Sequence, residues 1–128
     1  MGSAVHILVV DDDPAQLRIR EMLLRHAGFD LFTATSAESA LVLLNESSSL
    51  IGAVVTDHVL PGFNGVELVR ELRRKLPRIP VLVLTGMPAV ETEYSGLDVR
   101  ILTKPCRPTV LIDTLHQMLE PGRVEEHS

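Results

Sequence analysis

Tryptophan is absent, and the chain holds one tyrosine and three phenylalanines. Its core must therefore be built from aliphatic side chains. A single cysteine excludes an intramolecular disulfide, as expected for a reducing compartment. No apolar run approaches the ~20 residues that a membrane helix needs, and no signal-peptide pattern appears. Excess basic charge is lacking too: the formal net charge is −5 and the pI about 5.5. A nucleic-acid surface needs a basic patch. The richest basic stretch, Arg70 with Arg73, Arg74, Lys75 and Arg78, is interleaved with Glu67 and Glu71 and reads as a solvated helix face. No internal repeat or low-complexity stretch is present, and the histidines His6, His26 and His116 show no zinc spacing.

What is present fits one compact α/β unit. The 128 residues suffice for a single core, and 45% apolar content excludes a disordered chain. We expect the domain over residues 4–120, with a polar tail over 121–128. Five apolar runs, Ile7–Val10, Leu31–Ala34, Ala53–Val55, Val81–Leu84 and Val99–Leu102, alternate with helical patterns. All but Leu31–Ala34 are near-continuous, as strands buried on both faces of a parallel sheet read, and the more polar Leu31–Ala34 suits an edge. Ala15, Ile19, Met22, Leu23 and Ala27 predict the inner face of a first helix, with Asp13 as N-cap, Pro14 at its first turn and Gly28 at its stop. Ala37, Ala40, Leu41 and Leu44 predict a second helix, opened by Ser36. Leu68, Val69, Leu72 and Leu76 predict a third, with Glu71 and Lys75 as an i,i+4 pair. Leu111, Leu115, Met118 and Leu119 predict the last. Met87, Val90 and Tyr94 allow a short helix between Pro88 and Gly96.

Such a βα alternation implies right-handed crossovers and ligand binding at the carboxyl ends of the strands. Asp11, Asp12 and Asp13 follow the first strand, Asp57 ends the third, Thr85 the fourth, and Lys104-Pro105 the fifth. Carboxylates converging at a partly dry edge repel one another unless their pKa values rise or a cation joins them. An oxygen-only donor set suits Mg²⁺ or Mn²⁺. A carboxylate beside such an ion, a lysine and a hydroxyl donor is equipped to accept a phosphoryl group.

The chain resembles the receiver domain of two-component response regulators. The residues that carry the likeness are Val9-Val10-Asp11-Asp12-Asp13, Val55-Thr56-Asp57 with Leu60-Pro61-Gly62 and Asn64-Gly65, Leu84-Thr85-Gly86, and Thr103-Lys104-Pro105. They span the chain from Val5 to Leu119. Each motif alone is weak; four in order are specific. The resemblance implies a flavodoxin-like sandwich with a parallel sheet in the order 2-1-3-4-5 and about five helices. It implies Asp57 as the phosphoacceptor, with Mg²⁺ held by Asp12, Asp57, the Val59 backbone carbonyl and, through water, Asp11. Thr85 would contact a phosphoryl oxygen, Lys104 would pair with Asp57, and Lys104-Pro105 would be cis. The implied setting is cytoplasmic and bacterial, and the implied partner a sensor histidine kinase or a histidine phosphotransfer domain. An output partner or fused kinase domain is left open, and no nucleic acid or membrane is contacted directly. Two departures stand out. Ile101 occupies the position where the family commonly has an inward-swinging aromatic. The interval from Thr85 to Lys104 is also short, with a poorly marked helix.

Taken singly, each motif has a plainer reading. Asp11 to Asp13 could cap a helix, Asp57 could precede a turn, and Lys104 could be a surface cation. His58 beside Asp57 invites a chemical role, but neighbouring side chains at a strand end point apart. Cys106 reads as a small core hydrophobe. Two other functions compete. A small phosphatase of the haloacid-dehalogenase type would share the Asp-x-Asp start, but Ala15 stands where that family has Thr or Val. A phosphorylation-independent interaction module would predict loss of Asp57, Asp12 or Lys104, and all are present.

Overall fold

The structure, a computed structural model, describes residues 5–62, 64–87 and 89–119. The expected tail over 121–128 and Pro88 lie outside the described residues. Five strands, β1 (His6–Val10), β2 (Asp30–Ala34), β3 (Ile51–Asp57), β4 (Val81–Thr85) and β5 (Arg100–Thr103), form one parallel sheet in the order β2-β1-β3-β4-β5. This is the predicted order, with Leu31–Ala34 at an edge. Four α-helices among the described residues flank it: α1 (Pro14–His26), α2 (Ala37–Ser47), α3 (Gly65–Lys75) and α4 (Pro108–Leu119). None is long and apolar enough to cross a membrane. The fifth expected helix is replaced by a 3₁₀ turn, Val90–Tyr94, entered from Ala89 in the left-handed region at φ 62°. A β4–β5 segment with this little apolar periodicity does not sustain a full helix.

Alternation along the strands splits the core into two layers. Ile7, Val9, Ala53, Val55, Leu82 and Leu84 face one side and pack with Leu17 and Leu24 of α1 and Leu111 and Leu115 of α4. Leu8, Val10, Val54, Val81 and Val83 face the other and pack with Ala37, Ala40 and Leu44 of α2 and with Leu68, Val69 and Leu72 of α3. The caps follow the sequence. Asp13 accepts from Ala15 N–H at 3.0 Å and opens α1. Ser36 and Ser39 form a reciprocal capping box on α2, and Asn64 and Glu67 do so on α3.

Two sequence expectations are corrected. The inner face of α1 is set by Leu17 and Leu24, whereas Ile19 and Met22 are 59% and 65% exposed. Ala15 is exposed as well, and Leu23 and Ala27 are half-buried. This phase buries two leucines and also brings Arg20 to Asp11. Turning Ile19 and Met22 inward would withdraw Arg20 from Asp11, leaving a deeply buried carboxylate without its cation. On α3, Glu71 pairs with Arg74 at 2.8 Å, while Lys75 reaches across to Asn45 at 3.2 Å. Both groupings are surface contacts of small energetic weight.

The end of α3 carries a stronger tie. Half-buried Arg73 donates through Nε to Leu97 O at 2.6 Å, through Nη1 to Ile79 O at 2.7 Å, and through Nη2 to Asp98 O at 2.8 Å. It thereby joins the segment before β4 to the segment before β5, at the end of the sheet away from Asp57. A charged donor bond contributes about 1.5–3 kcal/mol, and partial solvation reduces each here. Arg73→Met keeps the stem and loses the fork. We expect it to lower unfolding stability by about 2 kcal/mol, read as a lower denaturant midpoint at unchanged slope. A variant with wild-type midpoint would show the clamp to be energetically idle.

Candidate functional site

The parallel register brings the strand exits together. Asp11 follows β1 and still donates its N–H to Ala34 O at 3.1 Å, so its backbone continues the sheet. Its carboxylate is buried, with Oδ1 accepting from Asp13 N–H at 2.9 Å. Asp12 is exposed beside it. Asp57, only 4% exposed, ends β3. One carboxylate oxygen from each of Asp11, Asp12 and Asp57 lies within 4.8 Å of the other two. From β5, Lys104 donates its N–H to Thr85 O at 2.6 Å, and its Nζ stands 3.0 Å from Asp57 Oδ1. The Lys104-Pro105 peptide bond is cis.

A second cation enters from α1. Arg20 Nη1 donates to Asp11 Oδ2 at 2.6 Å and lies 3.5 Å from Asp57 Oδ1. Even so, Asp57 Oδ1 has no hydrogen bond of good geometry among the described residues, although both cations stand near it. Burial, reinforced by close contact with the Asp11 carboxyl, raises the Asp57 pKa from 3.8 to about 6, against the opposing pull of Arg20 and Lys104. A buried carboxylate oxygen without a hydrogen bond, facing two further carboxylates, is a donor set that fits a hard divalent cation. The exposure of Asp12 leaves room for coordinated water.

The remaining sequence candidates fall around this cluster. Thr85 is buried at the end of β4, and its Oγ1 accepts from Met87 N–H at 2.9 Å. Among the described residues, the hydroxyl proton has only Met87 O, at 3.5 Å, as acceptor. Among the described residues, nothing lies within 4 Å of a side-chain position on Gly86, the residue after Thr85. Val59 sits in the loop after β3 with its side chain 62% exposed. Asp13 serves as the α1 cap. His58 is buried, but its Nδ1 lies 2.8 Å from Tyr94 Oη. Cys106 is half-buried and lines a groove between α1 and α4 with Lys104. Sequence reasoning missed Arg20. The signal was the spacing Leu17–Arg20–Leu24, which puts Arg20 on the buried face of α1. It also missed the His58–Tyr94 bond, which joins residues 36 apart in sequence.

Comparison with known proteins agrees with this geometry. The family described as the response regulator receiver domain matches residues 7–116. The transcriptional regulatory protein FixJ of Bradyrhizobium diazoefficiens is 34% identical over 133 residues, covering 98% of this chain and 63% of its own length. The probable transcriptional regulatory protein TcrX of Mycobacterium tuberculosis is 36% identical over 96 residues, covering 75% of this chain and 40% of its own length. This chain spans from 18% to 63% of the length of such curated relatives. Among solved structures, a response regulator receiver protein from Sinorhizobium medicae superposes with a TM-score of 0.82 at 32% identity, over 91% of this chain and 95% of that one. With the sheet order, the acidic cluster and a family match over most of its length in agreement, the chain belongs to the response regulator receiver domains.

Proposed function

We propose that this receiver domain takes a phosphoryl group onto Asp57 from a phosphohistidine in a Mg²⁺-dependent reaction. The observation that carries the reading is Lys104 Nζ at 3.0 Å from Asp57 Oδ1, within a cluster of three carboxylates at the carboxyl edge of the sheet. Asp12, Asp57 and the Val59 carbonyl would hold the ion, with Asp11 acting through water. When bound, the ion offsets charge on the transferring phosphoryl oxygens.

The chain's own groups do the rest. The ionised Asp57 carboxylate attacks phosphorus in line; the new O–P bond forms as the P–N bond to the donor imidazole breaks. Lys104 pairs with Asp57 beforehand and with the phosphoryl oxygens afterwards. Thr85, whose hydroxyl proton has no short acceptor among the described residues, donates to one of those oxygens. The room beside Gly86 admits the donor and later the water that releases phosphate. The domain thus assists its own phosphorylation and dephosphorylation as a signalling switch, and does not turn over an unrelated substrate. The donor would be a sensor histidine kinase or a histidine phosphotransfer domain in the cytoplasm. The exposed Ile19, which lines the same groove as Lys104, gives such a partner an apolar foothold beside the acceptor.

Intact mass after incubation with phosphoramidate tests this directly. Wild type should gain one phosphoryl group only when Mg²⁺ is present, and Asp57→Asn should gain none. An adduct that survives in Asp57→Asn would move the acceptor elsewhere.

The raised pKa of Asp57 gives a second test. Between pH 4 and pH 6 the folded protein holds a proton that the unfolded chain has released. Ionising Asp57 in the fold therefore costs stability as pH rises through this window, and the loss is complete above about 6. Asp57→Asn escapes it. With a chelator present, the variant should gain on wild type from pH 4 to 6, by about 2–3 kcal/mol at the plateau. Parallel stability profiles would show that Asp57 titrates normally.

A further inference from the structure

We infer that Arg20 is a resident cation of the acidic pocket that competes with a divalent ion for its carboxylate oxygens and so weakens the pocket's hold on that ion. The inference rests on reading Asp11, Asp12 and Asp57 as a cation site. Arg20 Nη1 donates to Asp11 Oδ2 at 2.6 Å and stands 3.5 Å from Asp57 Oδ1, so it engages two of the three converging carboxylates. With Lys104 on the same Asp57 oxygen, two positive charges already offset much of the negative charge that would attract an ion.

The position is built into the helix. Side chains on an α-helix lean toward its N-terminus, and α1 begins at this edge of the sheet. A long side chain on the Leu17–Leu24 face is thus carried back to the strand exits. There its side chain is 12% exposed, with the guanidinium against the Asp11 carboxylate. An ion that binds Asp57 directly and Asp11 through water competes with Arg20 for both carboxylates. The displaced group has somewhere to go. Nη2 already lies 3.5 Å from Gln16 Oε1, and an open groove of about 260 Å³ between α1 and the Lys104–Leu111 segment adjoins it. Arg20 thus makes the empty pocket electrostatically stable and makes ion binding an exchange of cations.

The test is calorimetric titration of Mg²⁺ into wild type, Arg20→Met, Arg20→Lys and Asp12→Asn. Breaking a charge-assisted bond to a buried carboxylate implies that Arg20→Met binds Mg²⁺ roughly tenfold to a hundredfold more tightly than wild type. Asp12→Asn should lose the binding. Arg20→Lys, which keeps the charge but not the fork, should fall between wild type and Arg20→Met, and it carries the test if Arg20→Met does not fold. In chelator, Arg20→Met should melt below wild type, and added Mg²⁺ should raise its midpoint by more than it raises that of wild type. Equal or weaker Mg²⁺ binding in both Arg20 variants, with binding lost in Asp12→Asn, would overturn the competition while leaving the cation site standing. No Mg²⁺ binding by wild type or by either Arg20 variant would overturn the cation site itself, and the competition with it.

Discussion

Mutual repulsion of carboxylates at one edge of a parallel sheet is the constraint around which the rest of this structure is arranged. Parallel pairing places every strand exit on the same side, so Asp11, Asp12 and Asp57 converge by topology alone. Two of the three are nearly inaccessible to water. Desolvation of that kind can be relieved by proton uptake or by a cation. Both appear here: Asp57 holds its proton toward pH 6, while Lys104 and Arg20 approach the same Asp57 oxygen. The rotation of α1, the cap at Asp13 and the tie from Lys104 N–H to Thr85 O all hold charges within reach of that edge.

The same charge argument explains how far the fold could be read in advance. Strands buried on both faces leave continuous apolar runs, so β1 and β4 were legible almost to the residue, whereas β3 extends two residues beyond the expected Ala53–Val55 at each end; the helix starts at Asp13 and Ser36 were legible from local hydrogen bonding. The phase of α1 was not. The stripe through Ile19 and Met22 competes with one through Leu17 and Leu24, and the structure buries the second and exposes the first. The buried stripe carries Arg20, whose ion pair with Asp11, nine residues away, no apolar pattern displays. Of the site, Asp57, Asp11, Asp12 and Lys104 were legible because each stands at a strand exit. Arg20 was hidden because it reaches the site from a helix interior. The Glu71–Lys75 pair shows the converse: favourable spacing on an exposed face did not prevent Glu71 from taking Arg74 and Lys75 from reaching Asn45.

The opposite side of Asp57 is governed by packing rather than charge. At position 101, where the resemblance leads to the expectation of an aromatic, this chain has the half-buried Ile101, and its one tyrosine sits elsewhere. Tyr94, in the 3₁₀ turn that stands in for a helix, is buried with its hydroxyl on His58, the residue next to Asp57. Burial, with Glu93 nearby, pushes the phenol's pKa upward, so it remains a neutral hydrogen-bonding group. The fit around it is tight. A side chain on Gly65 would lie 2.7 Å from both Asp57 O and Tyr94 Oη, so only glycine lets α3 start where it does. Gly65 N–H in turn donates to His58 O at 2.8 Å, and His58 N–H to Leu84 O at 2.8 Å. Strand β3, the start of α3 and the Val90–Tyr94 turn therefore meet within one residue of Asp57. The β4–β5 segment is tied to the residue beside Asp57 through the His58–Tyr94 hydrogen bond, and Ile101 takes no part in that tie.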